Sequence, residues 1–436
     1  MKKFRFLPML MALVILFTAC GKSDEPALDM NTSMQLAQKH SQMLVNEDFE
    51  NLTEDFDESI KGKLGAKDLA EGWKQVTDVR GSYVMPHSMD YTENKGYATV
   101  TAVLEYENTG VAITLTYTAE GKIRGIYLNM KALESDLEST EDFEEKEIAI
   151  GEYALKGILT LPKDKEEYPV VVLVQGSGAS DFDETVFKLK PFREIAHYLA
   201  ENGIASVRIN KRFYQKPETS TANVTIYDEY MNDIYDAAQW AKDNVSEDLY
   251  IIGHSLGASS APKIALDNGA KGVIMLAGST RGLEDSIYDQ NVLALENDNE
   301  HSEKEKAEIL KTIEAEIAKV KALKDGDEQA IMGIPASYWL SLRELDTENI
   351  LKNELEVPVL ILQGEADFQV YYDKDFKFMQ EILADKDNIT FKSYEGLNHV
   401  FMPQSKPGVF GMEEYMEENH ISQEVLEDIV DFILEN

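Results

Sequence analysis

The run Gly253-His254-Ser255-Leu256-Gly257 sets a serine between two glycines. An apolar, strand-like stretch, Leu249 to Ile252, leads into it, and small residues with helical character follow from Leu256. A sharp strand-to-helix turn with no bulk around it lifts the serine Oγ above a sheet and turns the next backbone N–H toward a reacting carbonyl. Such a serine becomes a nucleophile only with help. A base must take its proton, a carboxylate must orient the base, and N–H donors must hold the oxyanion. The five-residue motif is common by chance, so the rest of the chain has to supply those partners.

On a strand–turn–helix nucleophile the partners follow in the order Ser, Asp/Glu, His. The carboxylate belongs just after a late strand. Pro358-Val359-Leu360-Ile361-Leu362-Gln363-Gly364-Glu365-Ala366-Asp367 fits, with Asp367 the best placed and Glu365 and Asp373 as nearby alternatives. The base belongs in a loop after the last strand. Only His399 and His420 follow Asp367. His399 comes directly after a strand candidate, whereas His420 sits in the acidic Glu417-Glu418-Asn419 surroundings of a solvated surface. The backbone N–H of Leu256 is the first oxyanion donor. The second belongs to the loop Gln175-Gly176-Ser177-Gly178, where the N–H of Ser177 is the candidate and the glycines allow close approach of a carbonyl.

The elements that must position these groups are legible as alternating runs. Buried-strand candidates are Val170–Val174, Ile204–Ile209, Leu249–Ile252, Val273–Leu276, Val359–Leu362 and Ile389–Tyr394, with helical sequence between them. Ile148–Ile150 and Leu155–Leu159 read as a preceding hairpin. Alternation of this kind predicts a mostly parallel sheet with helices on both faces. Residues 281–345 interrupt it, with no strand candidate. There Leu310, Ile313, Ile317, Val320 and Leu323 recur at helical spacing, which predicts a helical cap over the sheet. Its return segment, Ile334-Pro335-Ala336-Ser337-Tyr338-Trp339-Leu340, is apolar and aromatic. Tyr338 and Trp339 either line an acyl pocket or fasten the cap as core residues.

Residues 30–137 read as a separate small α+β domain. Asn31-Thr32-Ser33 can cap a helix bearing Leu36, Met43 and Leu44, and helical sequence continues to breaks at Gly62 and Gly65. Val100, Ala102, Leu104 and Tyr106, then Val111, Ile113, Leu115 and Tyr117, alternate with more polar positions as strands of an antiparallel meander. Eight of the fourteen residues from Glu134 to Glu147 are acidic, which reads as a linker to a second domain over residues 138–436.

Residues from about 143 onward resemble the α/β-hydrolase superfamily, and within it the esterase, dienelactone-hydrolase-like and serine aminopeptidase-like branch. The resemblance rests on Gly176 to Glu184, Asn210-Lys211-Arg212, Gly253 to Gly257, Gly364 to Asp367 and Asn398-His399. It implies an α/β-hydrolase fold, and the helices followed by a curved sheet in the preceding unit resemble the small cone-shaped domains of nuclear-transport-factor-two-like or cystatin-like type. The whole chain is similar to bacterial lipoproteins that carry a domain of unknown function before such a hydrolase. Two departures stand out. Gln175 replaces a histidine common before the oxyanion glycine, and Phe213-Tyr214-Gln215 replaces a glycine-rich stretch. Asp183 and Glu184 with Lys211 and Arg212 read as an ion-pair scaffold for these loops, in preference to a site for a substrate carboxylate.

The chain has 436 residues with 42 basic and 80 acidic side chains, a formal net charge of −38. That balance repels nucleic-acid phosphates and excludes a nucleic-acid partner. Lys2, Lys3 and Arg5 precede twelve apolar residues, Phe6 to Phe17, and then Thr18-Ala19-Cys20. The run is shorter than the ~20 residues that span a bilayer, and the pattern is that of an export signal. Phe17-Thr18-Ala19-Cys20 resembles a lipobox, so residues 1–19 are expected to be removed, Cys20 lipidated and 20–29 left as a tether. Cys20 is the sole cysteine, so there is no intrachain disulfide. The expected location is the extracytoplasmic side of a bacterial membrane. No metal-site spacing and no dinucleotide or phosphate loop is present, so no cofactor is expected. The sequence therefore points to a serine hydrolase of carboxylic esters. A peptidase or aminopeptidase of the same fold is the alternative, as is a surface protein whose small domain binds a wall polymer or partner.

Overall fold

The computed structural model describes residues 26–436 except 78–79, 95, 132, 134–135, 222, 300 and 406–410. The export signal, Cys20 and most of the tether lie outside the described residues. Two compact units meet in sequence between Leu133 and Glu134.

The first unit packs α1 (Met30–Val45), α2 (Phe49–Glu54) and α3 (Ala66–Thr77) with an antiparallel sheet of β1 (Tyr83–Asn94), β2 (Tyr97–Tyr106), β3 (Gly110–Tyr117) and β4 (Ile123–Lys131) in sequential order. The alternating residues of β2 and β3 are its core: Val100, Leu104, Val111, Ile113, Leu115 and Tyr117 are all buried. Helix α1 starts earlier than expected. Its cap is Asp29, whose Oδ1 accepts from the Thr32 N–H at 3.0 Å, because a carboxylate oxygen there satisfies an orphan helix donor. The buried face of α1 is Ser33, Ala37, His40, Ser41 and Leu44. Leu36 and Met43 lie beside it, only partly buried. His40 tolerates burial because Tyr117 Oη and Asp55 flank its two ring nitrogens at 3.0 and 3.1 Å. Strand β1 carried no clear alternation. It is an edge strand with two irregularities of register and Pro86 within it, where a missing N–H is tolerated.

The second unit holds an eight-stranded sheet of β5 (Phe143–Ile150), β6 (Leu155–Pro162), β7 (Val170–Val174), β8 (Ala205–Ile209), β9 (Leu249–His254), β10 (Gly272–Leu276), β13 (Val359–Gly364) and β14 (Ile389–Tyr394). The strand order is β14-β13-β10-β9-β7-β8-β6-β5. The pairs from β14 to β8 are parallel, and β6 is antiparallel to both β8 and β5. Strands β7, β8, β9, β10 and β13 are buried along their whole length, as a sheet covered on both faces requires. The connecting helices are α4 (Pro191–Glu201), the short α5 (Arg212–Gln215), α6 (Asn232–Asn244), α7 (Leu256–Asn268), α12 (Lys377–Ile382) and α13 (Gln423–Glu435).

Two expectations need correction here. The acidic linker ends sooner than its charge implied, since Phe143–Glu147 belong to β5. Phe143 and Glu145 point inward, and Glu145 is paired with Arg208 at 2.6 Å and His197 at 2.8 Å. A charged strand with a buried ion pair carries no apolar alternation to read. The insertion between β10 and β13 consists of α8 (Leu283–Glu296), α9 (Glu303–Ala322), α10 (Ala336–Arg343) and α11 (Thr347–Asn349). It also contains a two-residue strand pair, β11 (Ala330–Ile331) with β12 (Ile334–Pro335), too short to leave a periodic signal. Helix α9 opens with a capping box of Ser302 and Glu305 and buries Ile313, Ile317 and Val320.

Candidate functional site

Ser255 stands at the junction of β9 and α7 with φ +55° and ψ −119°, a conformation that L-residues rarely adopt. Its own N–H is tied to Leu276 O on β10 at 2.9 Å. The two flanking glycines have a steric reason. A Cβ on Gly257 would lie 2.2 Å from Val174 O and 2.5 Å from Gln175 O, so a larger residue would force α7 off the end of β7. A Cβ on Gly253 would meet Gly257 O at 2.2 Å. The glycines therefore let the strand, turn and helix close on one another, and that closure keeps the serine in its strained turn.

Asp367 follows β13 and His399 follows β14. The two loops approach closely because Gly364 has no side chain: a Cβ there would lie 2.4 Å from Leu397 O and 2.5 Å from Asn398 O. His399 Nδ1 is 2.7 Å from Asp367 Oδ2, with both side chains buried. Asp367 is itself held at every side. Oδ1 accepts from the N–H groups of Gln369 (2.7 Å) and Val370 (3.0 Å), and Oδ2 also accepts from Gln363 Nε2 at 2.9 Å. A carboxylate only accepts, so this contact puts the proton on Nδ1 and leaves Nε2 free to act as a base. Asn398 braces the loop, its Oδ1 accepting from Val400 and Met402 N–H at 3.1 Å each. The alternatives to Asp367 point elsewhere: Glu365 accepts from Ser393 Oγ and Asp373 pairs with Lys377. His420 is exposed and 3.2 Å from Glu194.

His254 links the serine to the histidine loop. Its Nε2 donates to His399 O at 3.0 Å, and the two rings are 4.6 Å apart. Its Nδ1 is 3.1 Å from Glu184 Oε1, in ion-pair range but off the line of a hydrogen bond. Burial lowers the His254 pKa, but the charge of Glu184 outweighs it and the net shift is upward. Ser255 Oγ makes no hydrogen bond to His399 among the described residues. Such bonds often form only when substrate is bound.

The loop after β7 lies against the serine: a Cβ on Gly176 would be 3.0 Å from Ser255 Cβ. Gly176 is clamped at both ends. Its N–H donates to Glu184 Oε1 at 2.6 Å, and its carbonyl accepts from Lys211 Nζ at 2.5 Å. The Gly176 carbonyl and the Ser177 N–H belong to one peptide unit, so Lys211 sets the direction of that N–H. Neither the Ser177 nor the Leu256 N–H has a backbone partner among the described residues. Gln175, in place of the common histidine, is buried and ties the loop down by donating from Nε2 to Asp181 O and Ile209 O. The four charged residues expected to pair with one another do form a scaffold, but each has a different partner. Asp183 binds Arg208, Glu184 meets His254, Lys211 binds Glu229 and Arg212 grips Asp233 through two nitrogens. Among the described residues no cluster of His, Cys, Asp and Glu could hold a metal ion.

The chain is 30% identical over 400 residues to the esterase EstD of Thermotoga maritima, a match covering 89% of this chain and 92% of that one. The chain belongs to the α/β-hydrolase esterase family. Residues 188–404 match the family described as serine aminopeptidase, S33, and residues 37–126 match a protein family of unknown function, DUF3887. Among solved structures, an esterase of Pyrococcus furiosus aligns at 14% identity over 67% of this chain and 93% of that one, with a TM-score of 0.40. A hyperthermophilic esterase of Pyrobaculum calidifontis aligns at 19% identity over 68% and 85%, with a TM-score of 0.42.

In this esterase-family chain the cap residues singled out from sequence are both buried. Trp339 is 1% exposed in the core, and its Nε1 donates to Ile331 O at 3.2 Å. Tyr338 is 8% exposed, and its hydroxyl donates to Glu229 Oε2. These are contacts that fasten the cap, the role the core reading assigns to both residues. Tyr338 has a further consequence, because Glu229 also pairs with Lys211 at 2.8 Å. A chain of contacts thus runs from α10 through Glu229 and Lys211 to the Gly176 carbonyl. On the other side, α8 is bound to the Asp367 loop. Asp289 meets Arg281 (2.8 Å) and Lys374 (2.5 Å), Arg281 reaches Asp375 at 3.2 Å, and Gln290 Nε2 donates to Gln369 O at 2.9 Å. Sequence reading missed Glu229, Asp289 and Asp375, whose only signal was charge in a chain full of charge. A surface cavity of about 370 Å³ is lined by Lys188, Lys190, Arg193, Glu194, His197 and His420 among others, and none of Ser255, Asp367 or His399 reaches it.

Proposed function

We propose that the chain hydrolyses carboxylic esters through an acyl-enzyme on Ser255, with His399 as base and Asp367 as its orienting carboxylate. The observation that carries the reading is the 2.7 Å contact of Asp367 with His399 Nδ1, in a loop that His254 ties to the strained turn bearing Ser255. Ser255 Oγ attacks the ester carbonyl while His399 Nε2 takes its proton. The oxyanion accepts from the N–H groups of Leu256 and Ser177. The intermediate then collapses and the alcohol leaves with the proton from His399. Water, deprotonated by the same nitrogen, attacks the acyl group, releasing the acid and restoring the serine.

A fluorophosphonate probe is expected to label one residue, Ser255, and Ser255→Ala to abolish labelling and turnover together. Labelling that survives the substitution removes Ser255 from the role. The serine aminopeptidase description of the matching family favours a second reading, hydrolysis of aminoacyl amides. A series of aryl esters and aminoacyl anilides separates the two, and esters are expected to be turned over faster. Export and lipid anchoring through Cys20 complete the proposal, which places the hydrolase on the extracytoplasmic face of a bacterial membrane. The basic start, the short apolar run and the single cysteine at the end of the lipobox-like stretch support this.

A further inference from the structure

His254 and Glu184 form a buried pair that touches both halves of the candidate site. His254 ends β9 just before Ser255 and is 6% exposed, and Glu184 lies in the loop after β7 and is 8% exposed. Both ring nitrogens of His254 face acceptors. Nε2 donates to the His399 carbonyl at 3.0 Å, and Nδ1 lies 3.1 Å from Glu184 Oε1. A neutral ring with its proton on Nε2 would turn the lone pair of Nδ1 toward the carboxylate, which is repulsive. The imidazolium removes that conflict. His254 is the ion-pair partner of Glu184 among the described residues, and Glu184 Oε2 is buried with no hydrogen-bond partner. The other neighbours of the ring are apolar: Phe192 and Ile195 of α4, Val400 and Phe401 after β14, and Val425 of α13 line the small cavity beside it. Burial in these surroundings lowers the His254 pKa. Glu184, the His399 carbonyl and the charge of Asp367 more than offset it, and the net shift is upward.

Each member of the pair holds one wall of the site. Glu184 Oε1 accepts from the Gly176 N–H at 2.6 Å, next to the Ser177 N–H that faces the oxyanion in the reading above. His254 holds the backbone of His399, and the two rings are 4.6 Å apart. One ion pair therefore spans from the oxyanion loop to the base. Glu184 sits at φ +51°, a conformation that residues other than glycine seldom adopt, so its place is imposed by what surrounds it. A buried ion pair adds little stability over apolar residues of the same size. Packing alone gives no reason for two charges here.

We propose that His254, as the cation of a buried pair with Glu184, is a positioning residue, and that the pair holds the oxyanion loop and the His399 loop at the spacing the reaction needs. The inference rests on the roles given above to Ser255, His399 and the Ser177 N–H.

Two variants of the full chain remove the charges and keep the hydrogen-bonding groups. Glu184→Gln retains an oxygen for the Gly176 N–H, and His254→Gln retains a side-chain N–H for the His399 carbonyl. In both, kcat on an aryl ester is expected to fall by about 10–100-fold, the scale of a displaced reacting group, with KM nearly unchanged. His254→Gln leaves Glu184 as a buried anion, so the double variant is the reference if that protein fails to fold. Its kcat is expected to match that of Glu184→Gln, because a pair acting as one unit is lost only once. The pH profile reads the charge. Wild-type kcat is expected to decline as pH rises through the raised pKa of His254, above the ordinary 6.5, and Glu184→Gln to lack that decline. A direct reading comes from ¹⁵N labelling of the seven histidines. The ring whose signals vanish in His254→Gln, or in the double variant, is expected to show two protonated nitrogens of nearly equal shift at about pH 7. Widely separated nitrogen shifts at that ring overturn the proposal. So do wild-type kcat in Glu184→Gln, an alkaline decline that persists there, and losses that simply add in the double variant. The triad fails separately: turnover that survives Ser255→Ala removes the role of Ser255, whereas turnover lost in Ser255→Ala but intact in Glu184→Gln removes only the pair.

Discussion

Asp367 shows how much depends on single atoms. Its Oδ1 takes two backbone N–H groups, so in Asp367→Asn the carbonyl oxygen is held there and the new NH2 must face His399 and Gln363. Two donors then oppose each other, and His399 is driven to the tautomer with its proton on Nε2, which cannot accept from the serine. We expect kcat to fall by about 10³–10⁴ with the fold intact, as for the corresponding change in other serine hydrolases. Glu365→Gln, whose exposed parent carboxylate accepts from Ser393 Oγ, is expected to stay within about twofold of wild type, the small effect usual for surface substitutions. Steady-state kinetics on an aryl ester checks both. Comparable losses in the two variants would remove Asp367 from the role proposed for it.

At the scale of elements, the cap and the loop after β7 share one buried contact chain, Tyr338–Glu229–Lys211–Gly176 O. Lys211→Met frees the Gly176 carbonyl, and with it the orientation of the Ser177 N–H. A misaligned oxyanion donor acts on the transition state, so kcat should drop by about 10–100-fold while KM changes little. Glu229 is left as an unpaired buried charge in this variant, which destabilises the fold by about 3–5 kcal/mol. Lys211→Met/Glu229→Gln relieves that cost. A double variant that is stable but still slow isolates the positioning role, whereas one with restored kcat shows that only stability was lost. Trp339 belongs to the same scale. Trp339→Ala should cost about 3–5 kcal/mol in urea unfolding, as expected for a large buried aromatic. The ratio of kcat/KM between short and long acyl esters should be unchanged.

For the whole molecule, two buried carboxylates in the hydrolase unit give opposite pH limbs. Burial raises the pKa of Glu145, but the hydrogen bond from His197 and the charge of Arg208 outweigh it and bring it down from 4.5 to about 2. Its stabilisation is present above pH 4.5 and is lost as pH falls toward 2. Burial, reinforced by the neighbouring Asp183, pushes Asp181 from 3.8 up to about 6. The folded state then holds a proton that the unfolded state has released, so this contribution is present below pH 3.8 and is lost as pH rises through 6. Asp181→Asn should therefore flatten the decline of Tm between about pH 4 and 7, and Glu145→Gln should flatten the acid limb. Differential scanning calorimetry across pH measures both. An undiminished decline in Asp181→Asn would show that the titration lies elsewhere. At the membrane, Cys20→Ser should leave an unprocessed precursor or a form without lipid, which mass spectrometry of the N-terminus distinguishes. Unmodified N-termini on wild-type protein would remove the anchor.

The sequence by itself determined whatever is written in adjacent residues. Apolar runs of five or six residues gave the parallel strands, and the glycines around Ser255 marked a strand turning sharply into a helix. The late strands, with Asp367 and His399 in the loops after them, could be ordered because each loop follows its own strand. The edge strand β1 and the first five residues of β5 escaped because their proline and charges mask any alternation. Only the tertiary structure decided which groups touch. It brought His399 to Asp367 across 32 positions, passing over Glu365 and Asp373. It gave Asp183, Glu184, Lys211 and Arg212 partners other than one another, and joined Tyr338 to Glu229 across 109 positions. The reason is physical. Backbone conformation is biased by neighbours in the chain, whereas the pairing of a buried charge depends on which distant donor the packed sheet and cap bring within reach, and in a chain with 80 acidic residues nothing local distinguishes the carboxylates that end up inside.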